Sequence, residues 1–180
     1  MDRWDRIWAE RGDELQQHSA FLDRVAHLLP VSGTALDLAG GAGRNAAWLA
    51  ARGLDVTVCD RSVVGLALAE KHVRCQTLVR DVEVHGPPDG PWDLVLIHHF
   101  LHRPVFAALD CEMLVFVQPT TTNLERHERP SRRFLLEPTE VRDLLQHMQI
   151  VHIEEDWGPE GRHEARVVAR SARGPRYPVG

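Results

Sequence analysis

Thr34-Ala-Leu-Asp-Leu-Ala-Gly-Gly-Ala-Gly-Arg-Asn45, followed by Leu54-Asp-Val-Thr-Val-Cys-Asp60, decides the fold. It is an apolar run, a glycine-rich turn, a helical pattern and a second apolar run ending in aspartate. That order is the sequence form of a β-α-β unit binding a nucleoside cofactor. Glycines at the turn let the backbone approach a ligand where a Cβ would collide, and they accept positive φ. Asp60 closes the second strand, where its carboxylate can accept hydrogen bonds from ribose hydroxyls. The plain alternative is an ordinary strand-to-helix turn, and Asp60 would then only cap a helix.

The spacing bears on which nucleoside. Gly41-Ala-Gly43-Arg-Asn-Ala46 reads G-x-G-x-x-A, a tolerated variant of the dinucleotide fingerprint whose helix N-terminus faces a pyrophosphate. Asp37, four residues before Gly41, argues the other way. A carboxylate there repels a pyrophosphate and suits a cation such as the amino group of a methionine moiety. The balance moves to S-adenosylmethionine. A nicotinamide-linked reductase lacks its Tyr-x-x-x-Lys pair, since Lys71 is the only lysine.

Along the chain, apolar residues from Leu15 to Leu29 recur near helical period and predict a helix over 13–29, stopped by Pro30. Strands are expected at 34–39, 54–59, 75–79, 93–97 and 112–117, with helices at 44–52, from Ser62 through Ala69, at 103–109 and at 138–147. Strands at 149–155 and 163–170 have no helix between them and should pair antiparallel. Such alternation predicts an α/β fold: a doubly wound, mostly parallel Rossmann-like sheet with a C-terminal antiparallel hairpin. The 180 residues read as one domain, 1–30 an N-terminal helical segment and 171–180 a loose tail.

A hydrophobic fraction of 43% and a net charge of −5 describe a soluble globular chain and argue against a nucleic-acid groove. No apolar run reaches membrane-spanning length. Cys59, Cys75 and Cys111 lie in or beside strand-like segments and read as reduced core residues of a cytoplasmic protein. Oligomeric state leaves no mark on the helix surfaces.

LDLAGGAGRNAAWLAARGLDVTVCD resembles motifs I and II of class I S-adenosylmethionine-dependent methyltransferases. More narrowly it is similar to the tellurite-resistance methyltransferase family, in which Arg-Asn likewise follows the turn. The likeness extends to Trp92-Asp-Leu-Val-Leu-Ile-His-His-Phe-Leu-His-Arg103, to Phe134-Leu-Leu-Glu-Pro-Thr-Glu-Val-Arg142 and to 154–170, spanning most of residues 15 to 172. It implies that S-adenosylmethionine is held by Asp37, Ala39, Gly40, Gly41, Gly43, Asn45 and Asp60. Arg61 would lie along the adenine, Asp81 and Val82 would read it, and the His98 backbone would touch the methionine portion. S-adenosylhomocysteine would be the product. Ala39 and Gly40 depart from the family's more usual glycine and cysteine, and Cys111-Glu112 marks a trimmed connection.

For the acceptor, a chalcogen oxyanion or a thiol needs little activation. Arg103, Arg162, His102 and His163 are the candidates to position it, with His102 or His163 taking a proton. The resemblance places Arg162, His163 and Arg166 near an oxyanion. His98 and His102 are spaced i, i+4, yet no carboxylate or thiol accompanies them and no metal site is expected. His99 either faces the acceptor or is simply packed. The arginine-rich stretch 118–133 is a lid or a solvated loop, and Trp4 and Trp8 pack onto the sheet or close over the cofactor. A general small-molecule O- or N-methyltransferase, or a non-catalytic S-adenosylmethionine-binding partner, remains as an alternative.

Overall fold

The computed structural model describes residues 2–173. Seven strands form one sheet: β1 (Thr34–Leu38), β2 (Asp55–Asp60), β3 (Gln76–Val79), β4 (Trp92–His98), β5 (Cys111–Pro119), β6 (Met148–Trp157) and β7 (His163–Ser171). Their order is β3-β2-β1-β4-β5-β7-β6. The first five run parallel, and β7 inserts antiparallel between β5 and β6. The expected reversed hairpin is therefore present, with a bulge between Ile150 and His152. Helices are α1 (Arg3–Arg11), α2 (Ala20–Val25), α3 (Arg44–Ala51), α4 (Val63–His72), α5 (Val82–His85), α6 (Arg103–Ala108) and α7 (Glu140–Leu144).

The central strands are apolar on both faces because helices cover both. Leu94 and Leu96 of β4 face one layer with Phe21, Leu49 and Leu66, while Val95 and Ile97 face the other with Val105, Phe106 and Val141. Side chains alternate across a strand, so a doubly covered strand loses its polar positions. Phe106 and Phe116 meet edge-on at 4.8 Å in the second layer. No described helix is long and apolar enough to cross a membrane.

One expectation fails. The helix predicted over 13–29 exists only as α2 and a following 3-10 turn. Gly12 at φ 78° ends α1, and residues 13–19 then run as a strap held by non-local bonds. Arg44 donates to the Gln17 carbonyl at 3.2 Å, the Ser19 amide donates to Asn45 Oδ1 at 2.9 Å, and Asp13 pairs with Lys71 and His72. Tertiary contacts here override a helical pattern. Ser171 ends β7, and the rest of the tail expected at 171–180 falls chiefly on 174–180, outside the described residues.

Candidate functional site

The turn after β1 has three successive left-handed positions, Ala39 (φ 57°), Gly41 (55°) and Gly43 (78°). Such values are cheap for glycine and strained for alanine. The turn delivers the chain into α3, whose first residues fold back over Asp37. The Asp37 carboxylate is 1% exposed and accepts from the Ala46 amide, while its Oδ2 has no hydrogen-bond partner among the described residues. Burial pushes its pKa up to about 7, the neighbouring Asp60 charge adds to this, and Arg44 opposes it. A Cβ on Gly40 would lie 2.6 Å from Asp37 Cγ, so only glycine leaves room for the carboxylate.

Asp60 stands at the end of β2. Its oxygens accept from the Gly41 amide at 2.9 Å and the Ser62 amide at 2.8 Å, tying the turn to β2. Burial raises its pKa against these bonds. Ser62 caps α4, accepting from the Gly65 amide at 3.0 Å, and its hydroxyl donates to Asp5 at 2.7 Å. Asp5 also accepts from the Val64 amide, so α1 is latched onto the start of α4. This latch sets Trp8 against Gly41 and Gly65, where a Cβ on Gly41 would fall 2.1 Å from the indole. Trp8 thus roofs the glycine turn rather than packing onto the sheet, and Trp4 is exposed.

Beside the end of β3, Arg61 pairs with Asp2 at 2.8 Å and with Asp81 at 3.3 Å. Asp81 caps α5 through the Glu83 amide, and the Val82 side chain is buried in the second layer. Asp2, Arg61, Arg80, Asp81 and His85 line a cavity of about 530 Å³. Asn45 does not line it, and its Oδ1 accepts from the Ser19 amide instead.

At the end of β4, His98 Nδ1 lies 3.3 Å from Arg44 Nη2, and its ring meets that of His99 at 4.0 Å, tilted by 42°. Burial, then the charges of His99, Arg44 and Arg162, hold His98 well below the usual imidazole range, so it is neutral. Burial likewise pulls Arg44 down, with Glu160 and Asp37 opposing, although an arginine stays charged. The charges of Glu160 and Arg162, in the β6–β7 turn, are thus felt at α3 and at the end of β4. His99 takes φ 58° and its Nε2 lies 2.6 Å from Glu164 Oε1 on β7.

The other sequence-selected residues fall in two places, His102 and Arg103 at the start of α6, and Arg162 and His163 where β7 begins. His102 is the N-cap residue of α6, where its carbonyl accepts from the Val105 amide and its side chain makes no capping bond. Arg103 is engaged by Glu140 and by the carbonyls of Arg133 and Leu135, joining α6 to the segment before α7. Arg162 is exposed beside Glu160. His163 Nδ1 lies 2.7 Å from the Thr120 hydroxyl, with its ring edge-on to Trp157. The start of the 118–133 stretch is pinned, because buried Asn123 bonds the His163 backbone through both its amide atoms. Arg126, His127, Arg129 and Arg162 border a second cavity of about 610 Å³. Among the described residues, no three metal-ligating side chains gather to hold an ion. Arg44 and Glu164 do not stand out in the sequence. Arg44 carries one signal, its place directly after the turn.

A mostly parallel sheet with a reversed seventh strand, and two acids around a glycine turn at its carboxyl edge, define the class I methyltransferase fold. Residues 35–119, from β1 to the end of β5, match the family model described as a methyltransferase domain. Over this segment the sequence is similar to methyltransferase domains, which points to an enzyme whose methyl donor is S-adenosylmethionine. None of the curated proteins matches the sequence. Among solved structures, TehB from Haemophilus influenzae superposes with TM-score 0.68 at 16% identity, over 93% of this chain and 67% of that one. A protein studied for the conversion of a disulfide bond into a thioacetal group during echinomycin biosynthesis gives 0.72 at 16%, over 96% and 92%. Magnesium protoporphyrin IX methyltransferase from Synechocystis PCC 6803, solved with bound SAH, gives 0.63 at 16%, over 94% and 81%. At these identities the likeness is one of fold.

Proposed function

We propose that the protein transfers the methyl group of S-adenosylmethionine to a small-molecule acceptor, a thiol or a chalcogen oxyanion such as tellurite or selenite, in the cytoplasm. One observation carries the cofactor's place: Asp37 Oδ2, an unpartnered buried acceptor beneath a glycine turn. A buried carboxylate oxygen without a donor is costly, and an ammonium, directly or through water, is the group that relieves it. Asp60 keeps lone pairs beyond those its backbone donors use, and these suit ribose hydroxyls. Asp81, Val82 and Arg61 border the base, and the His98 backbone borders the methionine portion.

When bound, the sulfonium supplies a methyl on a good leaving group. The chain's residues then align the acceptor and exclude water. Trp8 and α1 wall one side of the turn, and the charges of Glu160 and Arg162, in the β6–β7 turn, are felt at Arg44. The fold shared with a protein acting on a disulfide supports sulfur as the acceptor atom, by analogy of fold.

Calorimetry with S-adenosylmethionine and S-adenosylhomocysteine, then methyl release over tellurite, selenite, thiols and phenols, tests this. Asp60→Ala is expected to lose binding while circular dichroism stays unchanged. Preferential binding of NADH overturns the proposal.

A further inference from the structure

His99 is held in a way that packing alone does not require. It is a non-glycine residue at φ 58° directly after β4, at the carboxyl edge where the other site residues gather. Left-handed backbone on such a residue persists only where its surroundings hold it, and such strain collects at functional positions. Three contacts hold it: its amide donates to the Val117 carbonyl at 2.9 Å, its ring meets that of His98, and its Nε2 meets Glu164. Glu164 is itself held by Arg166, which is 7% exposed and reaches it at 3.1 Å, and Arg166 also reaches Glu154. Burial raises the Glu164 carboxyl, but the His99 bond and the charges of His99 and Arg166 outweigh it and keep it below its ordinary range. A carboxylate at Nε2 requires the proton there, which leaves Nδ1 as the ring's acceptor.

We propose that His99 is the general base of methyl transfer, that Glu164 is its positioning residue, and that the acceptor is consequently a protic nucleophile, a thiol or a phenol. This rests on the methyltransferase reading, and it keeps the thiol, sets the ionised oxyanion aside and admits a phenol. The acceptor's S–H or O–H bond breaks and its proton passes to Nδ1. The freed electron pair forms the bond to the methyl carbon, and the pair of the breaking C–S bond stays on the departing sulfur. The imidazolium so formed is stabilised by the Glu164 carboxylate. Arg44 sits against His98, where the charge of Arg162 is also felt, and this positive field favours an acceptor that becomes an anion as it reacts. An oxyanion already ionised would need no base.

His99→Asn suits the test, because asparagine tolerates left-handed backbone and carries no basic nitrogen. Phenol and 2-mercaptoethanol serve as protonated acceptors, and 4-nitrothiophenol as one already ionised near pH 7. The variant is expected to lower kcat on the protonated pair about 100-fold and to leave the ionised one within a few-fold. Glu164→Gln should lower kcat about tenfold at unchanged KM. A readout independent of turnover is the colour of 4-nitrophenol bound with S-adenosylhomocysteine at about pH 6. Wild type should bind it as the yellow phenolate, and His99→Asn should not. Equal turnover by variant and wild type, or an equal fall on ionised and protonated acceptors, overturns the base while leaving the methyltransferase reading standing. A wild type that binds S-adenosylmethionine and methylates no acceptor overturns both.

Discussion

Replacing Asp37 with asparagine should make the ligand-free protein more stable and blind to its cofactor. Burial first, then the Asp60 charge, holds the Asp37 carboxyl at about 7 against 3.8 for a free aspartate, with the Ala46 amide and Arg44 opposing. At about 1.4 kcal/mol per pKa unit, keeping it ionised costs the fold about 4 kcal/mol. Between pH values of about 4 and 7 the folded chain holds a proton that the unfolded chain has released. The Asp37 contribution to stability therefore falls as pH rises through that window, and is level above it. Asp37→Asn removes this titration but leaves one buried amide donor unpaired, at about 1–3 kcal/mol. The variant should gain about 1–3 kcal/mol at pH 8, roughly 2–10 °C in Tm for a chain of this size, and nothing at pH 5. It should also lose the rise in Tm that S-adenosylmethionine gives wild type, since the acceptor for the ammonium is gone. Thermal scans of both proteins at the two pH values, with and without S-adenosylmethionine, measure every quantity. A variant destabilised equally at both pH values, or one still stabilised by the cofactor, would refute the reasoning.

Ala39→Gly should stabilise the protein by about 0.5–1 kcal/mol, because relief of a left-handed alanine outweighs the added freedom of the unfolded chain; urea unfolding checks it, and a loss of stability counts against strain at this turn. Asp5→Ala should free α1 from the Ser62 hydroxyl and the Val64 amide, raising hydrogen exchange across 3–11 and at the start of α4. Unchanged exchange would show that Trp8 alone docks the helix.

The elements read most directly from the sequence are those whose signal is local. The run Leu94–Ile97 of β4 is continuously apolar because it is buried on both faces, and the ends of β1, β2 and β4 fall within a residue or two of expectation. The absence of a helix between β6 and β7 foretold their antiparallel pairing. In the 13–19 strap the helical pattern misled, because Arg44 and Asn45 take up its backbone groups from a distant position in the chain. Likewise α7 spans only Glu140–Leu144 inside an expected 138–147.

The same division runs through the site. Asp37, Gly40, Gly41, Gly43 and Asp60 were legible as one turn because local spacing gathers them, and the cation-binding turn proposed above rests on the charge of Asp37. Trp8 over Gly41, Asp5 on Ser62 and His99 against Glu164 were not, since they join residues 33, 57 and 65 positions apart. Arg103 shows the converse, a cation free in the sequence that the fold engages with Glu140. The sequence by itself determined the β-α-β unit and the kind of cofactor, because local backbone geometry and local charge suffice for both. Only the tertiary structure decided which side chains meet across the cleft, because the insertion of β7 beside β5 carries Glu164 to the end of β4.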